Sequence, residues 1–126
     1  MAALVFDAGA LIAFDRGDRA IGALIALAAQ QGSEAVTSSA CAARAWRDPA
    51  RQARLTRALG GFIEQPLDML AARRCGLLLA GSATSDVVDG ALALLVRDGD
   101  TILTSDPQDI GRLISATGVH ARIRTV

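Results

Sequence analysis

Lysine and tyrosine are absent from this chain, and histidine occurs once. All 13 basic groups are therefore arginine, and they balance 13 acids to a formal net charge of zero. A neutral chain offers no bulk field to draw in nucleic acid, so any such binding has to come from a local patch. The lone His120 lies in a Gly-Val-His-Ala stretch near the C-terminus and is expected in an exposed loop. No histidine-dependent nucleophilic triad can be assembled around it. Aromatic residues are scarce: Trp46, Phe6, Phe14 and Phe62 are the whole set. That excludes a stacking platform for single-stranded bases, and Trp46 is expected to pack in the core or at an interface. Only two cysteines occur, Cys41 and Cys75, far apart and outside metal-ligand spacing. Both are expected to be reduced and packed, which fits a cytoplasmic protein. No apolar run approaches the roughly 20 residues needed to span a bilayer. The opening MAALVFDAGA has no basic region of the kind a secretory signal carries. No G-x-G-x-x-G follows the first apolar run and no P-loop occurs, which argues against dinucleotide and nucleoside triphosphate binding.

What remains is a chain rich in Ala and Leu, 52% hydrophobic, of a length that fits one domain over residues 1–126. The apolar run 3–6 (ALVF) ends directly on Asp7 and reads as a buried parallel strand. ALIAF follows as a first helix. Asp18 is placed to cap a second over 19–30, and 35–37 reads as a strand. Ser38 or Ser39 caps a helix carrying Cys41, Arg44 and Trp46. Pro49 is placed in the first turn of another helix, ended by Gly60-Gly61. Then come a strand over 62–67, a helix capped by Asp68 and a helix opened by Asp86. A strand over 101–104, a helix from Pro107 and an alternating last edge strand, ARIRTV, complete the chain. Strands alternating with helices imply an α/β domain with a mostly parallel sheet.

In such a sheet, ligands bind beyond the carboxyl ends of the strands. Asp7 closes the first strand and Asp106 follows the strand at 101–104. Asp86 and Asp89 share one face of the helix before that strand. Three chain segments can thus bring carboxylates to one sheet edge. Clustered carboxylates repel unless a cation neutralises them, and Mg²⁺ or Mn²⁺ suits an all-oxygen set. Taken singly, Asp86, Asp106 and Asp109 have ordinary uses as helix caps and first-turn acids. Asp7, and Asp89 among apolar neighbours, are harder to assign to such uses.

VFDAGALIA at 5–13, TSDVVDGALALL at 84–95 and TILTSDPQDI at 101–110, in that order and spacing, resemble the PIN-domain family of metal-dependent ribonucleases. The likeness is to the toxin half of VapBC-type toxin–antitoxin modules. The resemblance implies a three-layer α/β/α fold around a mostly parallel sheet of four to five strands. It also implies an Mg²⁺ or Mn²⁺ site at Asp7, Asp89 and Asp106. Thr104 matches a supporting hydroxyl, and Asp86 and Asp109 are auxiliary acids by position. It further implies RNA as substrate, a small antitoxin as partner and a homodimer. One departure matters. The family usually places a Glu on the helix after the second strand, where this chain has Arg44. A cation there would repel a metal or grip a phosphate. Asp15 and Asp109 are the acids that could compensate.

Arg44, Arg47, Arg51, Arg54 and Arg57 recur at three- and four-residue spacing. On a continuous helix they would form a basic ridge for an RNA backbone or an acidic partner, although Pro49 breaks the register. The bland alternative is a solvated helix face. The first two helices are apolar over much of their surface, which would suit partner capture. Three functions follow. The first is a metal-dependent endoribonuclease. The second is a PIN-like module that lost catalysis with the Glu and still binds RNA or antitoxin. The third is a phosphatase of the haloacid dehalogenase kind, which would want a second acid two residues after Asp7, where Gly9 stands.

Overall fold

The computed structural model describes residues 2–126. Five strands, β1 (Leu4–Phe6), β2 (Ala35–Ser38), β3 (Ile63–Gln65), β4 (Thr101–Thr104) and β5 (Arg122–Thr125), form one sheet in the order β3-β2-β1-β4-β5. Every pairing is parallel. The two central strands that flank the turning point, β1 and β4, carry the fully buried Val5, Phe6, Ile102 and Leu103. They are apolar on both faces because helices cover both.

Those helices are α1 (Ala8–Asp15), α2 (Arg19–Gln31), α3 (Ser39–Ala45) and α4 (Ala53–Gly61), followed by α5 (Met69–Ser82), α6 (Val87–Ala93) and α7 (Pro107–Thr117). α1 packs against α2, α3 and α4; α5, α6 and α7 pack against one another. The result is a three-layer α/β/α domain of five strands. Its starts are set locally by side-chain caps: Asp7, Asp18, Ser38, Asp68, Asp86 and Asp106 each accept the amide three residues on. Each such cap is worth about 1 kcal/mol.

The chain leaves β1 toward β2 on one side and leaves β4 toward β5 on the other. The order therefore reverses between β1 and β4, and a crevice opens beyond their carboxyl ends. Asp7 and the Thr104-Ser105-Asp106 run sit at that point.

Two helices depart from expectation. Pro49 does not begin one. Asp48 instead takes the amide of Ala50 in a turn, and the Gln52 side chain accepts the amides of Arg47 and Asp48. These local bonds satisfy the backbone without a helix, which starts only at Ala53. The helix opened by Asp86 is short: it ends at Ala93, and Asp100 folds the turn that follows by accepting the Arg97 amide. Trp46 is partly buried against the core and lies just beyond α3. Both cysteines are free and buried. Among the described residues, no helix is long and apolar enough to cross a membrane.

Candidate metal centre at the sheet switch point

Asp7 is the best-anchored acid of the chain. It is 2% exposed, and its amide donates to the Leu103 carbonyl across the β1–β4 seam. Its Oδ1 accepts the Ala10 amide at 2.7 Å. Its Oδ2 accepts the Thr104 hydroxyl at 2.5 Å and the Ser105 amide at 3.1 Å. Burial raises its carboxyl above the usual range, while the Thr104 hydroxyl and the two amides work against that shift. With two donors on Oδ2 and one on Oδ1, the lone pair left on Oδ1 is its remaining acceptor site.

Thr104 is fully buried and does two jobs. Its hydroxyl donates to Asp7 and accepts the Asp106 amide at 2.8 Å. That fixes the first peptide beyond β4 relative to β1. Asp106 then caps α7, accepting the Asp109 amide.

Asp86 caps α6 by accepting the Asp89 amide at 3.0 Å, and pairs with Arg44 at 3.1 Å. Burial pushes Asp86 up, but the amides of Asp89 and Val88 and the Arg44 guanidinium together hold it below the usual range. Asp89 stands one turn on, 8% exposed, and its carboxylate accepts no hydrogen bond from the described residues. Burial first, then the charges of Asp86, Asp7 and Asp106, push it up to about 6, against the opposing pull of Arg44.

Three of these acids converge. Asp89, Asp106 and Asp109 each offer a carboxylate oxygen, and the three oxygens lie within 4.8 Å of one another. Asp7 is near enough to raise Asp89 but is not one of the three. The sequence ranked Asp7 as a ligand and Asp109 as an auxiliary. The geometry gives Asp7 a dense hydrogen-bond shell and puts Asp109 in the group. Asp106 and Asp109 are three apart across a helix start, a spacing that could have signalled the pairing. Ser105, whose amide holds Asp7, had no signal beyond its place in the Thr-Ser-Asp run.

The donor set fits a hard divalent cation: it is all oxygen, with five acids (Asp7, Asp86, Asp89, Asp106, Asp109) near two guanidiniums. Each guanidinium has one carboxylate partner, Arg44 with Asp86 and Arg112 with Asp109 at 3.3 Å. Asp89, Asp106 and Asp109 could together hold such a cation, with waters completing the shell.

The other residues singled out in the sequence lie elsewhere. Asp15, at the end of α1, accepts the Gln52 side chain at 3.2 Å and does not join the group. Arg47 turns back to the Ala43 and Trp46 carbonyls, and Arg51 pairs with Asp48 at 3.6 Å. Arg54 reaches the Asp15 carbonyl. The expected ridge is thus divided between a helix end, a loop and α4. α1 spends Ala8, Ala10 and Leu11 on the core, whereas α2 leaves Leu27 exposed. Gly9 has a steric reason: a Cβ there would run into the Ser105 side chain. A second acid at that position would need the Ser105 side chain to move.

The chain matches no family model and no curated protein.

Proposed function

We propose that this chain is a metal-dependent endoribonuclease that hydrolyses RNA phosphodiesters, and that it is the PIN-like, VapC-type toxin of a toxin–antitoxin pair. The observation that carries this reading is the meeting of Asp89, Asp106 and Asp109 within 4.8 Å at the switch point. Bound there, Mg²⁺ or Mn²⁺ would activate water and offset charge developing on the phosphoryl oxygens. Asp89 contributes an oxygen whose hydrogen-bonding capacity is unspent. Asp106 and Asp109 are oriented by the α7 cap, and Asp7 with Thr104 holds the β1 and β4 ends in register beneath them. Arg44, 47% exposed and held to Asp86 by one bond, keeps donors free for a phosphate oxygen. A small antitoxin and a second copy of the chain are the partners this reading entails. Met69, Leu70 and Leu77, exposed on α5, support an interface on that side.

The test is cleavage of a mixed structured RNA by purified protein with Mn²⁺ or Mg²⁺, with EDTA and Asp89→Asn controls. Cleavage is expected, and its loss in both controls. A second reading rests on Arg44: a guanidinium beside the acids competes with a cation, which favours a module that binds RNA or antitoxin without cutting. Folded, antitoxin-free protein that binds RNA and never cleaves it would establish that second reading.

A further inference from the structure

β5 is an edge strand, and all four of its residues are exposed. Ile123 faces α7, where its Cδ1 approaches Gly111. By strand alternation, Arg122 and Arg124 point together to the opposite face. Neither forms an ion pair among the described residues. The acids at the start of the β4–β5 pair are occupied: Asp98 accepts the His120 amide, and Asp100 accepts the amides of Ala3 and Arg97. The amides of Arg122 and Val126 bond inward to β4. Those of Ile123 and Thr125 therefore point outward along the free edge.

Edge strands often carry charge merely to block pairing with other chains. Here the direction of the strand adds something else. Arg124 is level with Leu103 and Thr125 with Thr104, so β5 ends at the edge where Asp106 begins α7. We propose that β5 is a docking track for single-stranded RNA, with Arg122 and Arg124 on successive phosphates, leading the strand to the acidic crevice. This rests on the RNA reading of that crevice. The two guanidiniums stem from residues about 6.6 Å apart along the strand. That is close to the step between neighbouring phosphates of an extended single strand. The outward amides add donors along the same edge. An acidic peptide could pair with the edge, but nothing would then require the strand to end at the acids.

The test is fluorescence anisotropy with a labelled mixed-sequence single-stranded RNA, on the Asp89→Asn protein in Mn²⁺, with and without Arg122→Gln/Arg124→Gln. Labelled poly-glutamate is the second probe, and circular dichroism confirms folding. RNA affinity is expected to weaken about tenfold, and the slope of log affinity against log salt to flatten by roughly 1.4, two contacts at 0.7 each. Poly-glutamate binding should not change. Unchanged RNA affinity and slope overturn the track, as does loss of poly-glutamate binding alone, which would make β5 a peptide edge. If wild-type protein cleaves RNA while the β5 variant binds it normally, only the track fails. If wild-type protein neither cuts nor binds RNA, the ribonuclease reading fails with it.

Discussion

At neutral pH the carboxylate of Asp89 is a charge that the fold would be more stable without. Its pKa rises on folding from 3.8 to about 6, so between those values the folded protein holds more protons than the unfolded chain. Stability is therefore greatest below about pH 4 as far as this group is concerned, falls as pH rises through 6, and is fully lost above it. The shift corresponds to roughly 3 kcal/mol. Asp7, also raised, acts in the same direction. Asp89→Asn is thus expected to stabilise the metal-free protein at pH 7.5 by about 1–3 kcal/mol while abolishing metal-dependent cleavage. Urea midpoints at pH 5 and 7.5 check this, and the gain should shrink at the lower pH. Equal or lower stability of the variant at pH 7.5 would mean that Asp89 is not a strained charge. Arg44 has the converse role. Its pair with Asp86 is half-exposed, so Arg44→Gln should change stability by no more than about 1 kcal/mol. Removing a cation from the acids should tighten Mn²⁺ binding about fivefold, read by calorimetry. Unchanged affinity would place the guanidinium outside the field of the ion.

Helix positions depend on two close approaches. At Gly90, next to Asp89, a Cβ would stand 2.7 Å from the Cys75 sulfur and 3.0 Å from Leu79 Cδ2. α6 can lie this near α5 only because that side chain is missing. Gly90→Ala should cost about 1–3 kcal/mol by overpacking and, by shifting α6, weaken Mn²⁺ binding as well. A variant with wild-type stability and metal affinity would mean that α5 yields without moving Asp89. Sequence pattern served well for elements whose ends are chemically marked. Asp18, Ser38, Asp68 and Asp86 cap the helices expected of them, and the tail ARIRTV is an edge strand. It served poorly where one side chain rewires a loop. Gln52 accepting two amides keeps 47–52 out of a helix, and no periodicity reveals that. The arginine ridge failed for the same reason. The site was legible as to its edge of the sheet, because strands ending on acids are visible in a linear sequence. Which acids converge was not, since it depends on hydrogen bonds made across the fold. Asp7 is held by Thr104, Ser105 and Ala10, and it is Asp109 that stands with Asp89 and Asp106.

For the molecule as a whole, a bound cation would offset these local costs together. Asp7 and Asp89, raised by burial, and the crowded Asp106 and Asp109 all lie at a single crevice between β1 and β4. A ligand that binds only the folded state stabilises it by mass action, about 2.7 kcal/mol at a hundred times its dissociation constant. For a domain of this size that is a rise in Tm of roughly 5–15 °C. Mn²⁺ is therefore expected to raise the melting temperature at pH 7.5, and EDTA to reverse the rise. The effect should diminish toward pH 5, where protons compete for Asp89. Asp89→Asn and Asp106→Asn should each lose most of the metal-induced rise, whereas Asp15→Asn, at the far end of α1, should keep it. Differential scanning fluorimetry across pH with Mn²⁺, Mg²⁺ and EDTA reads all of this without reference to RNA. A melting temperature indifferent to both metals at pH 7.5 would leave the acids as an unrelieved strain and would take the metal out of the proposed reaction. A rise of equal size in Asp89→Asn would move the ion away from the switch point.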